Sequence, residues 1–263
     1  MQQVAHPPGT LARRQRIAIL AGIAGVTGLA WLDLLRRTWQ MKASMRAGIA
    51  CELHPWSSAD AWLTFLMWAV MMVGMMVPSA APMSLLFASV ARRAARQGAT
   101  VAPTFVFVSG YVTAWTLFSV GATAAQWALE RTALLTPMLA SASPLFGAAL
   151  LVAAGLYQWS PAKDVCLDHC RAPAMFFAAH WRPGTWGAFR MGLSHGAFCL
   201  GCCWMLMGLL FFGGVMNLLW VAGITLFVLL EKLVPRGDRV ARAAGAVLIA
   251  AGGAQLGSWL GLL

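Results

Sequence analysis

The sequence predicts an all-α fold, a polytopic transmembrane helix bundle of about seven spans, and three observations predict it. Of the 263 residues, 60% are hydrophobic and only 10% charged, against about 25% charged in soluble domains. Apolar runs near the roughly 20 residues that a bilayer-crossing helix needs recur along the chain. The basic residues gather in short clusters between those runs, as membrane topology demands. The formal charge of +11 therefore reads as topology and not as a nucleic-acid surface. No nucleic acid is expected as a partner; membrane lipid is.

The elements follow in order. Residues 1–16 form a basic lead with Arg13, Arg14 and Arg16, and residues 17–263 a single transmembrane domain. The first apolar segment, Ile17–Leu35, is followed by Arg36, Arg37 and Lys42 and by no small-x-small cleavage site, so it reads as an uncleaved helix. Cleavage would leave six spans. A polar loop over 36–60 carries Cys51 and His54, a weak pair of possible ligands facing the other side. Further helices are expected over Ala61–Val90, Val101–Leu129, Pro144–Pro161, Thr185–Val215, Val215–Val234 and Val240–Leu262. Between the fourth and fifth, about 20 residues read as a loop holding Cys166, His169, Cys170 and His180. Tyr157 and Trp159 suit an interface, and Gly213-Gly214 a break.

A cytoplasmic N-terminus puts fourteen of the 19 basic residues inside, leaving Arg36, Arg37, Lys42, Arg46 and Arg131 outside. That satisfies the positive-inside rule and implies a bacterial inner membrane location once the family resemblance given below is added.

Sulfur is in excess, with six Cys and fifteen Met, and its placement carries the functional reading. In the fifth helix, Cys199 lies about +40°, Cys202 about −20° and Cys203 about +80° from His195 at about 100° per residue. One imidazole and two or three thiols thus share a face. A histidine inside a span is a functional signal by default, and imidazole with thiols is a soft donor set suited to Cu(I) or zinc. In the second helix Met67, Met71 and Met75 form one stripe, and Met72 and Met76 its neighbour, ahead of Pro78. Adaptable packing explains an isolated Met stripe. Here both sulfur faces fall at similar depth, and thioether beside thiolate favours Cu(I) over zinc. Pro78 frees backbone carbonyls and bends its helix. Cys166 and Cys170, with Lys163 and Arg171 near enough to favour thiolate, offer a second thiol pair, looser than a Cys-x2-Cys zinc signature. Glu231 and Lys232 point in different directions, and Arg190 is the expected structural partner of Glu231.

These residues also carry a resemblance. The runs Met71-Met72-Val-Gly-Met75-Met76-Val-Pro78, Cys166-Leu-Asp-His-Cys170-Arg171-Ala-Pro173, Gly192-Leu-Ser-His195-Gly-Ala-Phe-Cys199-Leu-Gly-Cys202-Cys203-Trp204 and Glu231-Lys232 resemble the bacterial family of predicted metal-binding integral membrane proteins, a domain of unknown function. The likeness covers about residues 60–235 and leaves out Cys51 and His54. Some members are described as copper chaperones that supply a tyrosinase, so the resemblance implies copper handling and a copper-dependent oxidase as client.

The expectation is a membrane Cu(I) chaperone or conduit, not an enzyme, with metal ligands drawn from His195, Cys199, Cys202, Cys203, Cys166, Cys170, Met71, Met72, Met75 and Met76. No phosphate-binding loop and no His-Glu-x2-His occurs. Two rivals stand beside it. One is a membrane thiol–disulfide oxidoreductase built on Cys202-Cys203 and Cys166/Cys170; the other is a structural partner subunit.

Overall fold

A computed structural model describes residues 13–47 and 56–261, so Cys51 and His54 lie outside the described residues. Every regular element among the described residues is a helix. In chain order they are α1 (Arg13–Arg46), α2 (Ser58–Met76), a 3-10 turn (Val77–Ala80), α3 (Ala81–Arg96), α4 (Thr104–Arg131), α5 (Pro144–Tyr157), α6 (Pro161–Arg171), α7 (Pro173–His180), α8 (Gly184–Gly208), the short α9 (Leu210–Gly213), α10 (Leu218–Leu233) and α11 (Gly237–Trp259).

Five stretches are long and apolar enough to cross a membrane: α1, α2 through α3, α4, α8 with α9, and α11. The pair α5 and α6, bent by 63°, makes a sixth if it counts as one broken span. The expected sixth helix forms as α10 but has only 16 residues. At 1.5 Å per residue it reaches roughly 24 Å, short of the ~30 Å hydrocarbon core.

Local chemistry sets the breaks. Ser57 caps α2, accepting from the Asp60 N–H while the Asp60 carboxylate accepts from the Ser57 N–H, a complete capping box. Pro78 has no N–H to give the Gly74 carbonyl one turn back. The Trp31 indole of α1 donates to that carbonyl instead, at 3.2 Å. The helix expected over Ala61–Val90 is therefore two helices joined by a 3-10 turn. Ser160 and Pro161 stop α5 and start α6, with the Ser160 hydroxyl accepting from the Lys163 N–H. What reads in the sequence as a 20-residue loop is in fact two short helices, each opened by a proline, with Leu167, Phe176 and Phe177 buried. The Gly213-Gly214 break occurs as expected, with Gly214 at φ 94°, a backbone conformation that favours glycine. Tyr157 faces inward, its hydroxyl donating to the Gly201 carbonyl of α8.

The tightest helix pair is α4 against α8. A Cβ on Gly110 would strike the Phe189 carbonyl, and one on Gly192 the Phe107 carbonyl. Small residues let two backbones meet at this distance. Glu231, expected to pair with Arg190, pairs instead with Lys163 of α6 at 2.7 Å, both side chains buried. Arg190 is exposed. Gln158 also accepts from Lys163. The reason lies in α6: as a helix it packs against α8 and carries Lys163 inward, where a buried ammonium must meet a counter-charge.

Removing one partner of such a pair leaves a buried charge uncompensated and costs about 3–5 kcal/mol. Glu231→Gln or Lys163→Met alone should therefore lower the melting temperature of the detergent-purified protein markedly, and the double variant Lys163→Met/Glu231→Leu should regain most of the loss. Single variants melting like wild type would show that the pair does not hold α6 to α10.

Candidate functional site: a buried sulfur cluster

The four methionines of interest, Met71, Met72, Met75 and Met76, are wholly buried, and they share one core with Cys199, Cys202 and Cys203. The thioethers therefore face the thiol helix and not the outside. The register is fixed by Tyr111 of α4. Its hydroxyl donates to the Met76 carbonyl at 3.0 Å and sits 3.0 Å from the Cys199 sulfur. The 3-10 turn helps, because Ser79 also donates to the Met76 carbonyl, at 2.8 Å.

The thiols come from two helices. Cys202 and Cys203 each donate to the Cys199 carbonyl at 3.0 Å. Cys170 of α6 packs against the same core as Cys199, Cys202 and Cys203. Cys166, one turn earlier, packs its sulfur on Gly201, where a Cβ would come within 2.6 Å of it. Glycine at 201 is what lets α6 and α8 bring their thiols together. All five described cysteines are free.

A residue the sequence reading did not place here is Lys232. Its ammonium donates to the Cys199 sulfur at 2.8 Å and to Ser79 Oγ at 3.2 Å. The charges expected beside the thiols, Lys163 and Arg171, are elsewhere. Lys163 is engaged by Glu231, and Arg171 donates to the Val234 carbonyl and pairs with Asp238. The opposite headings of Glu231 and Lys232 are as expected from adjacent helix positions. Lysine within an apolar helix was itself a signal, since intramembrane charges default to a functional hypothesis.

His195 lies one turn before Cys199 on α8, among aromatic rings. Its ring stacks on Tyr111 (centroids 5.4 Å) and lies near Phe107 and Phe176 (6.2 and 5.7 Å). Its Nδ1 is buried with no hydrogen-bond partner among the described residues. Gly192 and Gly196 let α4 close on that part of α8, which sets the Phe107 and Tyr111 rings against the imidazole. Among the described residues no three His, Cys, Asp or Glu side chains converge on one metal position. Soft coordination here would thus use sulfur pairs or recruit the thioethers, which are weaker donors. Cys199 and Cys202 also stand at Cys-x2-Cys spacing, which dithiol redox centres use, so spacing alone does not separate metal from redox chemistry.

At the start of α2 a cavity of about 370 Å3 opens beside Met67, lined also by Met41, Met216, Asp60 and Glu130. Together these features define an all-helical protein with a buried soft-donor core, and a cavity with three methionines in its lining near the start of α2. The chain belongs to the PpoB2 family, described as copper chaperones, whose family profile matches residues 65–255, nearly three-quarters of its length. No curated protein and no solved structure matches it.

Burial orders the reactivity of the thiols. A maleimide reagent should label the half-buried Cys166 well before Cys199, Cys202 and Cys203, read by peptide mass spectrometry. Gly192→Leu, which forces α4 from α8, should raise labelling of Cys199 toward that of Cys166. Equal rates in the wild type would contradict the buried cluster.

Proposed function

We propose that this protein is an integral-membrane Cu(I) chaperone or conduit, non-catalytic, that takes the ion at the mouth beside Met67 and passes it to a copper enzyme such as a tyrosinase. The observation that carries the reading is the meeting of α6 and α8 thiols in the same core as four buried thioethers. Membrane residence is supported by apolar side chains left on the outer surface, Leu117, Leu219, Leu226 and Val247 among them. With the basic clusters inside, the mouth lies on the outer side of the bacterial inner membrane and the N-terminus in the cytoplasm.

Cu(I) is cargo in this reading. The ion moves by ligand exchange, one sulfur bond forming as another breaks, with no change of oxidation state. Met71, Met72, Met75 and Met76 give a weakly holding path, and Cys199, Cys202, Cys203, Cys170 and Cys166 a firmer resting place, since thiolate is the stronger soft donor. Lys232 holds a positive charge against the Cys199 sulfur, so an arriving cation must displace that ammonium toward Ser79. His195, with its unpartnered Nδ1, is the nitrogen donor nearest along α8. Zinc is disfavoured because thioether is a poor zinc ligand.

The test is Cu(I) affinity of the purified protein by competition with a chromogenic Cu(I) chelator. Losing Cys199 and Cys202 together should weaken binding by more than the roughly 10–100-fold that losing an outer-shell partner costs. Met71→Leu/Met75→Leu should slow loading while leaving the end-point affinity near wild type. Unchanged affinity in the Cys199→Ala/Cys202→Ala variant would sink the copper reading and leave packing, or dithiol exchange, as the role of these sulfurs.

A further inference from the structure

Two histidines lie just outside the sulfur cluster, one on α6 and one on α7. His169 Nδ1 is 2.8 Å from the Val165 carbonyl, and His180 Nδ1 is 3.1 Å from the Phe176 carbonyl. A carbonyl only accepts, so in each ring Nδ1 carries the proton and Nε2 keeps its lone pair. That is the tautomer a metal-ligating imidazole needs, fixed by the kind of backbone contact that orients such ligands. Neither Nε2 has a hydrogen-bond partner among the described residues.

The rings are also held in place. His169 stacks on Phe198 at 4.1 Å and 8°, and His180 on Phe176 at 4.8 Å and 17°. Their centroids are 6.3 Å apart. Two metal–nitrogen bonds of about 2.0 Å plus the two ring radii come to roughly 6 Å when the three atoms are in line. The centroid spacing matches linear two-coordination with the two Nε2 atoms facing each other. Two-coordination in a line suits Cu(I), a soft ion without zinc's demand for four ligands.

Resting on the copper-chaperone reading above, we propose that His169 and His180 form a second, two-coordinate Cu(I) site from which the ion leaves the protein. His169 adjoins Cys170, whose thiol belongs to the cluster, and Phe176 lies between His180 and His195. Both histidines are half-buried, whereas Cys199, Cys202 and Cys203 are sealed. A ligand of the receiving protein can therefore reach the ion as a third donor. One nitrogen bond breaks as the partner's bond forms, and the metal stays Cu(I) throughout.

The experiment is copper K-edge absorption spectroscopy on the detergent-purified protein, loaded anaerobically with one and then two equivalents of Cu(I). The first equivalent should show sulfur scattering, and the second should add the outer-shell signature of imidazole. His169→Gln/His180→Gln should lose the second equivalent and its signature while keeping the first. His180→Phe, which preserves the stacking on Phe176, should do the same and guards against a folding defect. A triple Cys170→Ala/Cys199→Ala/Cys202→Ala variant should keep the imidazole-bound ion. An imidazole signature unchanged in the two histidine variants, or absent from the wild type at two equivalents, would overturn the paired site and leave the sulfur site untouched. No copper bound by any form would instead overturn the parent reading.

Discussion

A buried ammonium must find polar atoms, and two lysines impose that demand on this bundle. Lys163 ties α6 to α10 through Glu231 and to the end of α5 through Gln158. Lys232, the next residue after Glu231, reaches the opposite way to Cys199 and Ser79. Between them they fix α10 against α6, α8 and the 3-10 turn. The sulfur cluster lies on the side where, among the described residues, Lys232 forms no ion pair with a carboxylate. There the ammonium is met by a sulfur and a hydroxyl, and its charge favours the thiolate form of the sulfur it touches.

Much of this was legible in the sequence because periodicity and proline placement act locally. The methionine stripe points inward because residues at three and four apart share a helix face, and Pro78 breaks the helix because it lacks an N–H. The thiols of α8 follow the same rule. For His195 the wheel gives a direction but not which neighbouring helix sits there. Gly110, Gly192 and Gly196 settle that by letting α4 come to backbone contact.

Pro161 through His180 misled for a different reason. A stretch with Lys163, Asp164, Asp168 and two prolines has the composition of a loop, but each proline stands at the first turn of a helix, where it is tolerated. Folded as α6 and α7, the stretch packs against α8 and carries Cys170 into the cluster. The apolar helix around Lys232 was a signal, but its place beside Glu231 near a helix end, where charged residues are ordinarily solvated, masked it. The counter-ion of Glu231 depended on the same fold of α6 and could not be read from spacing.

The hydrogen bonds from Cys202 and Cys203 both end on the carbonyl of Cys199, within a single helix. Either sulfur can swing away by rotation about one side-chain bond, and the backbone ladder of α8 stays closed behind it. Such a pivot runs at side-chain rates, on the scale of nanoseconds for exposed rotamers and slower where packing resists.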